Sequence, residues 1–160
     1  MALVIEDGSI VSGANSYATA AEYNAYIDAR YSALARSVAD AVVEGYLLLA
    51  MDYLESQSLI GAKYTDAQPL QWPRSDVYID GYIVLTTEIP AYVIKALYEV
   101  AYGIEQGFSP TAPVSRETLI EKVGEISITY KDSSASRTLL PAASQALSKF
   151  TVSSSRTVRV

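Results

Sequence analysis

Few side chains in this sequence could do chemistry, and their types limit what that chemistry would be. Carboxylates stand four residues apart at Asp76 and Asp80 and again at Asp40 and Glu44, and paired acids are the least equipment that general acid–base work requires. Solvated acidic faces explain the same pairs more simply, because no supporting site chemistry accompanies either of them. The chain contains no cysteine and no histidine. This removes disulfides, thiolate nucleophiles, Ser-His triads, zinc sites built on sulfur or imidazole, and the usual pH switch. A metal would have to be held by oxygen alone, and no Asp-x-Asp-x-Asp-Gly calcium loop is present. No catalytic, cofactor-binding or metal-binding residue is assigned, and a non-enzymatic role is expected.

One other concentration of unusual residues is Gln68-Pro69-Leu70-Gln71-Trp72-Pro73-Arg74, with the only tryptophan and two of the six prolines. Pro73 disfavours helical geometry at Trp72, so the indole is expected on extended backbone. There it can plug a hydrophobic core or anchor a partner. Trp72, Pro73 and Arg74 are taken as the structural anchor of a central loop. The expectation is Trp72 buried against the second and third helices, with Arg74 paired to a carboxylate or a carbonyl.

The elements that must position these residues follow from pattern. A chain of 160 residues suits one domain, read as residues 1–150 with an extended C-terminal arm at 151–160. Half of the residues are hydrophobic and 19% are charged, so a core can form and the chain is not of the disordered class. No run approaches the ~20 apolar residues of a membrane span, and the N-terminus has no secretory-signal pattern; no membrane partner and no export by the general pathway are expected.

Leu3-Val4-Ile5 before Glu6-Asp7-Gly8 reads as a short strand and a turn. Thr19 and Glu22 form a capping box for a helix over about 20–30. A weaker box, Ser37 to Asp40, predicts a second helix reaching about Gln57. Its apolar arc covers about half of the circumference, which suits either a central helix or one that contacts a neighbour. Asp40, Glu44 and Glu55 fall on the other side. The long connection from 58 to 88 requires its own internal contacts, and Asp80-Gly81 marks a hairpin within it. Pro90 to Gly107 predicts a third helix. Tyr92, Tyr98 and Tyr102 fall outside its apolar stripe, as an interface would place them, or as core tyrosines reaching for water would. Residues 125–130 alternate as a strand with a partner near 118–122, and Pro141 opens a short last helix to about Phe150. The fold class is mainly α: a small bundle of three principal helices plus a short C-terminal one, with a small β-hairpin element and extended termini.

Net charge is −6, and it is sorted along the chain. Residues 1–72 hold nine acids against three bases, whereas residues 133–160 hold four bases and no acid. A basic tail on an acidic body suits docking on an acidic surface, or is merely a solvated terminus. Alternating valines near the end also suit strand addition to another subunit. Arg156, Val158, Arg159 and Val160, with the three tyrosines, are therefore the candidate interface.

Taken in order, Glu6-Asp7-Gly8, Ala14-Asn15-Ser16-Tyr17, Met51-Asp52-Tyr53-Leu54, Gln71-Trp72-Pro73-Arg74, Glu88-Ile89-Pro90 and Lys122-Val123-Gly124 leading to Ile126-Ser127-Ile128-Thr129-Tyr130 resemble head-to-tail adaptor (head completion) proteins of tailed bacteriophages. Many such sequences are labelled DnaT-like single-stranded DNA-binding proteins. The resemblance spans roughly residues 4–132. It implies a structural virion protein in the phage neck, assembled in the host cytoplasm as a homo-oligomeric ring, commonly a dodecamer, bound to the portal and to a tail or neck protein. DNA would pass through its lumen without specific binding, and Asp40, Glu44 and Glu55 would line that lumen, like charge suppressing adhesion. The alternative is a single-stranded DNA-binding protein, which joins a basic groove to aromatic stacking platforms. This chain has the aromatics and lacks an evident basic groove.

Overall fold

In the computed structural model, which describes residues 2–31, 38–109, 118–120, 129–130 and 141–151, the capping box at Thr19 forms in full. Glu22 accepts from the Thr19 backbone N–H and hydroxyl, each at 2.8 Å, while the Glu22 N–H donates to Thr19 Oγ1 at 3.2 Å. Two amides that a helix start would leave orphaned are thereby satisfied, and α1 runs over Ala20–Tyr31.

Helix α2 covers Asp40–Glu55 and starts later than the second box predicts. Ala39 holds the cap position in extended geometry with no side-chain cap, and Asp40 is the first helical residue. Its carboxylate still meets the positive end of the helix dipole there. Helix α3 covers Ala91–Glu105 with Pro90 as its N-cap, its missing N–H being one that a helix start leaves unpaired anyway. The helix ends in a Schellman motif: Phe108 N–H bonds to the Gly103 carbonyl at 2.8 Å, Gly107 N–H bonds to Ile104 at 3.0 Å, and Gly107 takes φ +94°. Helix α4, Pro141–Leu147, is shorter than its pattern suggests; turns carry the chain from there to Phe150.

The connection after α2 is built rather than loose. Strands β1 (Ala62–Lys63) and β2 (Arg74–Ser75) pair antiparallel, as do β3 (Tyr78–Ile79) and β4 (Tyr82–Ile83). Farther on, β5 (Thr118–Ile120) pairs irregularly with β6 (Thr129–Tyr130), within the pair of segments predicted there; residues 121–128 of that prediction lie outside the described residues. The N-terminal strand is not formed. A single parallel bridge joins Ile5 to Ser16, because the Val4 carbonyl takes both Asn15 and Ser16 N–H groups and the Asn15 side chain takes the Val4 N–H. The buried Glu6 carboxylate collects the Gly8, Ile10 and Val11 N–H groups at 2.8–2.9 Å. Gly8 lies so close to the Thr87 carbonyl that a Cβ could not fit, which fastens this loop to the lead-in of α3.

The core joins Tyr23 and Ile27 of α1, Val43 and Leu47 of α2, Leu97 and Val100 of α3, and Phe150, all essentially inaccessible. Trp72 lies among them at 1% exposure and meets Phe150 edge-on, ring centroids 5.6 Å apart. It shares the lining of a cavity of about 10 Å³ with Leu54 of α2, Val93 of α3 and Leu147 of α4, a space that holds at most one water. Arg74, also buried, donates to the Ile60, Leu59, Gly61 and Gln71 carbonyls and to Gln71 Oε1. Among the described residues the tryptophan Nε1 has no hydrogen-bond partner, a defect that typically costs about 1–3 kcal/mol, so apolar packing has to outweigh it. Trp72→Ala is expected to destabilise the fold by about 3–5 kcal/mol, read as a lower urea midpoint at unchanged slope. A loss below about 1 kcal/mol would contradict the anchoring role.

Candidate functional site

Each strand of the β3–β4 hairpin pairs a tyrosine with an isoleucine, so both of its faces are apolar. Tyr78 stands opposite Ile83 and Ile79 opposite Tyr82. The turn is Asp80-Gly81, at φ +52° and +87°, the two left-handed positions that a tight hairpin turn needs. Val77 N-terminal to it is fully buried and its carbonyl accepts from Val84 N–H at 2.9 Å, so the base is rooted in the core. Ile79 and Val84 pack partly buried against the core, and the other apolar residues stand in solvent: Tyr78 is 61% exposed, Tyr82 80%, Ile83 59% and Leu85 59%. A two-stranded ribbon can cover only one face, and this one therefore displays rings.

The tip is tied back to the body. Asp80 Oδ2 lies 2.7 Å from Lys149 Nζ, and this ammonium sits 4.9 Å from the centroid of the Tyr92 ring. The hydrogen bond to Asp80 raises the Lys149 pKa, keeping it charged. Tyr92, exposed on the first turn of α3, meets Phe150 at 6.2 Å, and Phe150 meets Trp72. A path of contacts thus runs from the indole in the core to the displayed hairpin. Lys95 is exposed one turn beyond Tyr92.

The residues singled out from sequence are distributed differently. Tyr98 is buried against Tyr23 and Tyr26 of α1, at 6.0 and 4.7 Å, and burial, with Glu22 nearby, pushes its pKa up to about 12. Tyr102 stacks on Tyr31 at 4.4 Å. Both fasten α1 to α3 instead of offering a free face, so of the three tyrosines only Tyr92 stands open. Glu99, buried beneath them, accepts from Tyr26 at 2.7 Å and Tyr31 at 3.4 Å. Burial and this carboxylate push the Tyr26 and Tyr31 phenols up. Arg156, Val158, Arg159 and Val160 lie outside the described residues.

Asp40 is exposed and accepts from Asn24 at 3.2 Å; Glu44 is half-buried. Glu55 does not share a solvent face with them. Its Oε1 accepts from Gln71 N–H at 2.9 Å and from the Tyr17 hydroxyl at 3.1 Å, and that hydroxyl in turn accepts from Trp72 N–H at 3.0 Å. Asp76 and Asp80 bracket β3, with Asp80 committed to Lys149. Among the described residues no cluster of three acids could hold a metal, and no helix is long and apolar enough to cross a membrane.

The missed feature is the hairpin's display. Its signal is Tyr78-Ile79 and Tyr82-Ile83 around Asp80-Gly81: strands without polar alternation in a ribbon that can bury only one face.

The fold and its site define a small, mainly α-helical protein that displays aromatic side chains on a rooted hairpin. The family model described as "Putative DnaT-like ssDNA binding protein" matches residues 1–160, and the chain belongs to that family. No curated protein and no solved structure matches. The family description overturns the adaptor-ring reading: it speaks of single-stranded DNA binding, the alternative carried alongside it. The physical reason for the misreading is that the landmark motifs, above all Gln71-Trp72-Pro73-Arg74, build the loop's seat and carry no information about assembly.

The Glu55 carboxyl is raised above its ordinary value of 4.5, first by burial, with the Gln71 and Tyr17 hydrogen bonds opposing. A carboxyl raised in the folded state contributes stability below its unfolded pKa and loses it as pH climbs through the folded one. Wild-type protein should therefore lose melting temperature relative to Glu55→Gln as pH rises through and above 4.5. Parallel Tm profiles across that range would refute the assignment.

Proposed function

We propose that this protein binds single-stranded DNA, with bases stacking on the displayed tyrosines Tyr78 and Tyr82 of the hairpin and on Tyr92 beside it. The observation that carries the reading is the 80% exposure of Tyr82 on a hairpin whose root is buried. An aromatic ring held open on a rigid element loses little entropy on binding and presents its face to any base, whatever the sequence. Family membership supports the same reading.

The net charge of −6 decides how such binding works. Sequence-independent attraction to phosphates is weak or repulsive over an acidic body, so stacking supplies most of the affinity. Tyr78 and Tyr82 stand on opposite faces of the ribbon, so a strand that stacks on both passes over its edge; at about 1–3 kcal/mol per base, three rings then suffice for modest binding. Few phosphates are neutralised, and the dependence on salt is correspondingly shallow.

Fluorescence anisotropy with a labelled pyrimidine oligonucleotide tests this. Tyr82→Ala and Tyr78→Ala are each expected to weaken binding by roughly 5- to 150-fold, the equivalent of one lost stack, with helicity unchanged by circular dichroism. The slope of log K against log salt should stay below that of about three phosphate contacts. Wild-type affinity in both variants would rule the platform out.

A further inference from the structure

We propose that Asp80 is a built-in competitor for DNA phosphate: it occupies Lys149 in the free protein and yields it to a phosphate when a base stacks beside it. This rests on the single-stranded DNA reading above. Three observations lead to it. The Asp80–Lys149 pair is short at 2.7 Å, yet the two side chains are 68% and 38% exposed, and exposed ion pairs are cheap to break. Lys149 is held 4.9 Å from the Tyr92 centroid, so its ammonium stays beside an aromatic face when Asp80 lets go. Asp80 belongs to the turn between Tyr78 and Tyr82, so one tight turn carries both the competitor and the stacking rings.

The consequence is selectivity. A strand that offers only phosphates meets a neutralised lysine on an acidic body and gains almost nothing. A strand with unstacked bases gains from Tyr82 and Tyr92 first, and that gain brings a phosphate close enough to displace the carboxylate. Asp80 is then a specificity-determining residue that disfavours duplex, whose bases are already stacked.

Asp80→Asn tests this with little risk to the fold, because asparagine tolerates the left-handed backbone found at φ +52°. The variant should bind a single-stranded oligonucleotide up to about fivefold more tightly at low salt, the release of one exposed ion pair. Its salt slope should steepen by about 0.7, one phosphate contact on a single strand, and its preference for single strand over duplex should narrow. In a Lys149→Met background the same substitution should give neither gain. Unchanged affinity and slope in Asp80→Asn, while Tyr82→Ala still weakens binding, would overturn this inference and leave the stacking reading standing. An equal gain with and without Lys149 would also overturn it, by showing a general charge effect. Wild-type binding by both Tyr82→Ala and Tyr78→Ala would instead remove the stacking reading, and this inference with it.

Discussion

The Tyr17 hydroxyl is the hinge pin of this molecule. It donates to Glu55 at the end of α2 and accepts from the Trp72 backbone, so one phenol joins the N-terminal loop, a helix end and the central loop. Burial and the adjacent Glu55 charge push the phenol's own pKa up, and it therefore remains a donor throughout the physiological range. With this pin in place, Trp72 is delivered to the core and its backbone N–H is satisfied. Arg74 can then spread its guanidinium over carbonyls of residues 59–61 and 71. Arginine suits that position because its planar fork meets several acceptors at once, and burial lowers its pKa without removing its charge. The hairpin is the next structure along the chain. Its root, Val77, is buried in the core that this loop helps to fill.

Tyrosine is used at two depths, with opposite outcomes. Between α1 and α3, rings of Tyr23, Tyr26, Tyr31, Tyr98 and Tyr102 pack on one another, and the hydroxyls of Tyr23, Tyr26 and Tyr31 donate hydrogen bonds to Glu105 and Glu99. There the apolar body stays inside while the polar tip finds a partner. On the hairpin the same residue type is rooted by its neighbours and left bare. What separates the two is whether a second element covers the face: α1 covers that of α3, whereas among the described residues β3 and β4 pair only with each other.

Local signals were the legible ones. The Thr19–Glu22 box, Gly107 beyond α3 and Asp80-Gly81 are each decided within a few residues, and each appears where its pattern places it. Glu55 was not legible in the same way. On a helical projection it sides with Asp40 and Glu44, and only the return of the chain at Gln71, sixteen residues later, turns it inward. Tyr98 and Tyr102 show the same limit, since the sequence left open whether they serve an interface or the core. Their position outside the α3 stripe is real, but α1 supplies a second core face for them, and periodicity within one helix cannot reveal a neighbour. The N-terminal strand was lost to side-chain competition, since Asn15 supplies the bond a second strand would have given Val4.

The acidic character of the chain bears on function more than its size suggests. A binding surface built on lysine and arginine would draw any nucleic acid, single or double, and would weaken steeply with salt. Here the described cation nearest the hairpin is already engaged by a carboxylate, and the exposed groups are rings and aliphatics. On the reading proposed above, a surface of this kind responds to unstacked bases, because these alone offer a face that tyrosine can cover. Selectivity for single strands would then need no sequence readout and no basic groove. It would follow from withholding charge and displaying aromatics on the same hairpin.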